Sequence, residues 1–118
     1  MRWTVEEVAR ALGVTPPGGL DPLARVAGVS IDSRTVARDE LFVAIHGPRH
    51  DGHNFVVAAL DAGALAAVVA QDRVAGFAEP VRSKLIVVTD TLAALQGLAQ
   101  AARTRWGRHH RAHQRRPH

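Results

Sequence analysis

Cysteine is absent from this 118-residue chain, which excludes a disulfide framework and any thiolate-ligated zinc and is compatible with a reducing compartment. Aromatic side chains are scarce at 4%, so a core has to be assembled from Val, Leu, Ile and Ala, whose small side chains suit close packing of helices on a sheet. Long apolar runs are missing as well. The longest, Ala62 to Ala70, is 9 residues, about half of the ~20 that a membrane-spanning helix needs. The amino terminus places Glu6 and Glu7 where a secretory signal has its apolar centre, so no export signal is expected there. Acidic residues are missing from the last twelve positions, which hold Arg108, Arg111, Arg115, Arg116 and four of the seven histidines.

What is present is enough for one domain. At this length folding buries roughly two-thirds of the unfolded chain's surface, and 47% of the residues are hydrophobic. The formal charge is +4, with 15 basic against 11 acidic residues. Four of the 15 basic residues lie in residues 107–118, which leaves 11 against 11 for residues 1–106. The alkaline balance therefore belongs to the tail. Such a tail, of one charge sign and with no apolar face, is expected to stay disordered.

The pattern along the chain is one of alternating strands and helices. Thr4-Val5-Glu6-Glu7 fits a capping box, Val5, Val8, Ala9 and Leu12 share one helical face, and Gly13 is placed to end that helix in a left-handed turn. Pro16-Pro17-Gly18-Gly19 then reads as a loop that sets the first helix apart as a separate lobe. Strands are expected over 26–32, 41–45, 65–70 and 84–89. Asn54 is the candidate cap of a helix through Phe55, Ala58, Ala59 and Ala62 that stops at Gly63. Asp90 or Thr91 caps a last helix with the stripe Leu92, Leu95, Leu98, Ala99, Ala102 and Trp106. This alternation implies an α/β layer architecture. The sheet is expected to be mixed, because Ser33 to Glu40 is too short for a helical crossover.

Polar residues gather after two of the predicted strands: Asp32-Ser33-Arg34 after Ile31, and His46-Gly47-Pro48-Arg49-His50-Asp51-Gly52-His53 after Ile45. Loops at the carboxyl ends of strands are where α/β sheets commonly place ligand groups. The same residues also suit turns, with Asp32 and Ser33 bonding the local backbone, Arg34 paired to Asp32 or Asp51, and Gly47 and Gly52 serving as backbone devices. His46, His50 and His53 have a spacing that could hold a metal on a helix face. Pro48 and its flanking glycines argue against a helix there, so no metal is assigned.

The ordered set Ile31-Asp32-Ser33-Arg34, Leu41-Phe42-Val43-Ala44-Ile45-His46-Gly47 and Asp51-Gly52-His53-Asn54-Phe55 resembles the amino-terminal domain of the Mur ligases, which build peptidoglycan precursors in the bacterial cytoplasm. The resemblance covers roughly residues 3–108. It implies a single α/β domain over 1–106, with a mixed sheet, that grips the UDP end of a UDP-N-acetylmuramoyl peptide. It further implies that Ser33 contacts the uridine diphosphate, that Arg34 is a second candidate contact, and that Ile31 lies against the uracil. The loop of Gly47, Pro48, Arg49 and His50 would close over the base, while Asp32, Asp51, Gly52 and His53 shape turns. Trp3 to Gly13 and Ala93 to Ala99 with Arg105-Trp106 look most like the ligase that adds D-alanyl-D-alanine. The ligase that adds the third peptide residue is the alternative. Arg38-Asp39-Glu40 departs from the family's usual Pro-Gly-Asp; Asp39 takes the glycine's place and is among the few residues that tolerate a left-handed conformation, so the turn can survive with some strain.

The family's ATP and magnesium sites lie in later domains, so no cofactor and no catalytic residue is expected within these residues. Where the family continues with an apolar strand and a Gly-Lys-Thr phosphate loop, this chain has Gly107 to His118. Reading back-translated His109 to His113 one base later permits Ile-Ile-Gly-Leu-Thr. A truncated or frame-shifted ligase, inactive by itself, is therefore the expectation, to be checked by resequencing the locus. The rival from another class is a basic module whose tail docks on nucleic acid. Charge alone is a weak signal for that, so no nucleic-acid or membrane partner is assigned.

Overall fold

The computed structural model of the protein describes residues 3–48 and 51–104. The expectations for Arg49, His50, Trp106 and the 107–118 tail lie outside the described residues.

The first helix, α1 (Val5–Leu12), starts where its capping box puts it. Glu7 N–H donates to Thr4 Oγ1 at 3.2 Å and Thr4 N–H donates to Glu7 Oε1 at 3.0 Å. It ends at Gly13, whose φ of 71° is one that glycine adopts without steric cost. Strands β1 (Val29–Ser30) and β2 (Leu41–Val43) follow. A 3-10 turn (Gly52–Phe55) then runs into α2 (Val56–Asp61). Next come β3 (Ala66–Ala70), a second 3-10 turn (Gln71–Gly76) and the short α3 (Glu79–Arg82). Strand β4 (Leu85–Val88) and α4 (Thr91–Ala102) complete the described chain.

The four strands form one sheet in the order β1-β2-β3-β4, and every pairing is parallel. The α/β class is as expected, but the mixed sheet is not. The link after Ser30 does cross without a helix. It can do so because β1 pairs over only two residues, Val29 with Leu41 and Ser30 with Phe42, so the return path is about two strand rises, roughly 7 Å. Two tight turns cover it, closed by Thr35 N–H to Asp32 O and Glu40 N–H to Ala37 O, both 3.2 Å. Between them Val36 is buried beneath the α2 face.

Strands β2, β3 and β4 are buried on both faces, as the interior of a parallel sheet requires, while β1 at the edge is half-buried. On one face Leu41, Val43, Ala66, Val68, Ile86 and Val88 pack with Trp3, Val5 and Val8 of the α1 segment and with Ala94 and Leu98 of α4. On the other, Phe42, Ala44, Ala67, Val69 and Leu85 pack with Val56 and Ala59 of α2. The first helix is thus part of the main core and not a separate lobe. Its loop is pinned as well: Gly19 N–H donates to Ser83 O at 3.1 Å, an approach so close that a Cβ on Gly19 would stand 2.5 Å from that of Ser83.

Two helices differ in detail from the sequence reading. The α2 entry is capped not by Asn54 but by Asp51, whose carboxylate accepts His53 N–H at 3.0 Å. That earlier cap starts the turn as a 3-10 helix. In α4 the buried face is Thr91, Ala94 and Leu98, whereas Leu92 and Ala99 are exposed. The cap there is Asp90, which accepts Leu92 N–H at 2.9 Å and Ala93 N–H at 3.2 Å.

Candidate functional site

Because all four strands are parallel, their carboxyl ends open onto one edge of the sheet. Loops 31–40 and 44–51 leave adjacent strands there, the 3-10 turn Gln71–Gly76 follows β3, and Thr89 and Asp90 follow β4. Crevices at the carboxyl edge of such sheets are where ligands bind. Ile31, Ser33, Arg34, Gly47 and Pro48 all lie on this edge.

Beyond β1 the chain turns at once. Ser30 Oγ donates to Asp32 O and accepts Asp32 N–H, both at 3.1 Å, which fixes the bend. Ile31 is left 56% exposed, a large apolar side chain at the mouth of the edge and not in the core. Asp32 Oδ1 accepts Arg34 N–H at 2.9 Å and Arg34 Nε–H at 3.1 Å, while Oδ2 accepts from Nη2 at 3.1 Å. This two-point pair holds the guanidinium in one orientation. The hydrogen bond to Asp32, followed by the carboxylate's charge, raises the Arg34 pKa above its ordinary value. Among the described residues two of the five N–H donors are used, and the side chain is 86% exposed, so it has donors left for an anion. Ser33 is half-buried, with no hydrogen-bond partner for its hydroxyl among the described residues.

The loop after β2 folds back on itself. His46 and Asp51 form an antiparallel bridge, and Gly52 N–H donates to Ile45 O at 2.8 Å. A Cβ on Gly52 would lie 2.7 Å from Ile45 N and 3.1 Å from Ala44 Cα, so glycine is needed here for close approach. Gly47 is half-buried and Pro48 exposed at the tip.

Asp51 and His53 are buried at this edge, at 8% and 5% exposure. Asp51 Oδ1 lies 2.6 Å from His53 Nδ1, and Ala70 N–H, at the end of β3, donates to His53 Nε2 at 3.0 Å. A ring nitrogen that accepts carries no proton, so the neutral His53 holds its hydrogen on Nδ1 and donates it to Asp51. Burial pushes the His53 pKa below its ordinary value; Asp72 opposes that shift and His46 adds to it. Asp51 Oδ2 pairs with Arg73 Nη2 and is 3.5 Å from His46 Nδ1. Arg73, from the turn after β3, escaped sequence reasoning. Its segment has no periodic apolar pattern, and Asp51 was matched only to Arg34. Among the described residues no group of three His, Asp or Glu side chains is placed to hold a metal ion, and no helix is long and apolar enough to cross a membrane.

A family model described as "Mur ligase family, catalytic domain" matches residues 25–103. The UDP-N-acetylmuramoyl-L-alanyl-D-glutamate--2,6-diaminopimelate ligase of Chlorobaculum tepidum is 37% identical over 99 residues, which is 82% of this chain and 19% of that protein. The UDP-N-acetylmuramoyl-tripeptide--D-alanyl-D-alanine ligase of Bacillus subtilis is 42% identical over 76 residues, 64% of this chain and 16% of the relative. The chain therefore spans less than a quarter of the length of either relative. In shape, the crystal structure of MurF from Acinetobacter baumannii superposes with a TM-score of 0.69 at 24% identity, over 89% of this chain and 22% of that one. That likeness shows a shared fold.

Proposed function

This chain belongs to the Mur ligase family of peptidoglycan-precursor ligases, and we propose that it is the part that grips the UDP end of a UDP-N-acetylmuramoyl peptide in the bacterial cytoplasm. The observation that carries this reading is the single carboxyl edge. There the Ser33 hydroxyl, the spare donors of Arg34 and the exposed Ile31 stand beside the loop that leads to Gly47 and Pro48. A hydroxyl, a guanidinium and an apolar wall are what a diphosphate and a base require. Relatives of both ligase types carry UDP-N-acetylmuramoyl in their names. We assign the chain to the D-alanyl-D-alanine-adding type, with the ligase that adds the third residue as the alternative. Its helical segments, Trp3 to Gly13 and Ala93 to Ala99, favour the former.

Ligation itself is not assigned to these residues. The only lysine, Lys84, is followed by Leu85 at the start of β4, so the chain has no Gly-Lys-Thr loop to cradle ATP phosphates. ATP and magnesium chemistry belongs, in this reading, to other parts of a complete ligase.

The test is titration of the protein with UDP, following amide shifts at residues 30–34 and 46–53. Ser33→Ala removes one hydrogen bond to a charged group, worth about 1.5–3 kcal/mol when desolvated and less at an open edge. Equal affinity for wild type and Ser33→Ala, or shifts confined elsewhere, removes the assignment. Arg34→Ala weakens binding if the guanidinium serves the ligand and leaves it unchanged if its whole role is to hold Asp32.

A further inference from the structure

We propose that Arg73, together with Asp51 and His53, is a positioning device for this edge, locking the return of the β2 loop to the end of β3 so that the ligand groups on the edge keep their places. The inference rests on the uridine-diphosphate reading and deepens it, since none of the three side chains is assigned to the ligand.

The argument is one of satisfied valences. The Asp51 carboxylate is almost out of water, at 11% exposure, and a buried carboxylate is tolerated only when paired and hydrogen-bonded. Oδ1 takes both hydrogen bonds from His53, its backbone N–H at 3.0 Å and its ring Nδ1–H at 2.6 Å. The neutral ring supplies no charge, so compensation falls to Arg73 on Oδ2. Arg73 comes from the turn after β3, and His53 reaches that same strand by accepting Ala70 N–H. One carboxylate is thereby tied to β3 twice, once by charge and once by hydrogen bond. Asp51 is also the residue that bridges back to His46 at the start of the loop. The loop base is therefore held by β3, the neighbour of β2, as well as by its own turn.

Among the described residues, Asp51 and His46 from the β2 loop and Asp72 from the turn after β3 act on His53, and Arg73 from that turn acts on its partner Asp51. Of these, Arg73 is the cation that competes with a protonated His53 for Asp51. Removing it leaves the carboxylate to favour the imidazolium form.

The experiment compares wild type, Arg73→Gln and Arg73→Lys with two readouts. UDP-N-acetylglucosamine is the probe, since its diphosphate is esterified at both ends and keeps a constant charge near neutrality. Wild type binds it, Arg73→Gln binds it roughly three- to tenfold more weakly, and Arg73→Lys, which keeps a cation, recovers most of the loss. Independently of any ligand, NMR of the His53 ring nitrogens shows the hydrogen on Nδ1 in wild type, and a protonation midpoint shifted upward in Arg73→Gln but not in Arg73→Lys. Wild-type binding with unchanged affinity in Arg73→Gln overturns the positioning role alone. An unshifted His53 midpoint in Arg73→Gln overturns the three-residue lock whatever binds. Absence of binding by wild type sinks the uridine-diphosphate reading itself, and the positioning role falls with it.

Discussion

Asp39 stands at φ 65°, the left-handed region that costs an L-residue roughly 1–2 kcal/mol and is visited mainly by glycine, asparagine and aspartate. The neighbours hold it there: Asp39 N–H donates to Gly63 O and its own carbonyl accepts Ala27 N–H, both at 2.9 Å. Asp39→Gly is therefore expected to be neutral or stabilising by up to about 1 kcal/mol, and Asp39→Val destabilising by about 1–2 kcal/mol. Urea unfolding midpoints decide, and a Val variant as stable as wild type refutes the strain. That Asp39 could tolerate this conformation was legible from the resemblance, whose usual glycine it replaces, because few residue types can stand in for glycine at a tight turn. The pairing of Asp51 with Arg73 was not, because it joins residues 22 apart through tertiary structure. His53 carries a second consequence at this scale. Its folded pKa lies below its unfolded value of about 6.5, so the unfolded chain binds the proton more readily. The stability it contributes is complete above about pH 6.5 and is lost as pH falls through the lower folded value. Wild-type stability should decline over that window, and His53→Asn should flatten the decline. Equal slopes in the two proteins count against the buried neutral ring.

At the level of elements, glycine separates positions where space is the constraint from positions where it is not. Gly52 lies under the backbone of Ala44 and Ile45, so a methyl there forces main-chain atoms apart. Gly52→Ala is expected to cost about 1–3 kcal/mol and to raise amide exchange across 44–53. Gly97 sits inside α4 with nothing within 4 Å of an added Cβ, so Gly97→Ala should stabilise by about 0.5–1 kcal/mol. Reversed signs in a thermal melt would show the packing here to be misread. Strands β2, β3 and β4 were readable as apolar runs, and α1 from its capping box and its terminal glycine, whereas the strand expected over 26–32 forms only at Val29–Ser30. The turn Gln71–Gly76 and α3 were not read, being only six and four residues long, too short for a periodic signal. The direction of β1 against β2 also escaped, because crossover length follows from strand length, and β1 proved to be two residues long. In α4 an Ala- and Leu-rich sequence is apolar nearly all round, which leaves the buried stripe ambiguous until the sheet is in place.

For the molecule as a whole, the site was legible as a pair of loops but not as one edge, since that required knowing that every strand runs the same way. Charge leads to the prediction that belongs at this scale. The surplus of +4 sits in residues 107–118, and residues 1–106 balance, so a polynucleotide and a uridine diphosphate would be held by different parts of the chain. Four arginines neutralising four phosphates of a duplex give a salt slope of about −3.6, or roughly a hundredfold loss of affinity between about 50 and 200 mM salt. A diphosphate held by Ser33, Arg34 and backbone donors involves fewer counterions and depends far less on salt. Binding of UDP-N-acetylglucosamine and of a duplex oligonucleotide, each measured at both salt concentrations on the full chain and on a chain ending at residue 106, separates the two readings. The expected pattern is sugar-nucleotide binding that survives both salt and removal of 107–118, and oligonucleotide binding that survives neither. If oligonucleotide binding persists at the higher salt without those residues, while the sugar nucleotide fails to bind, the ligand edge is a nucleic-acid surface and the ligase reading of this site is wrong.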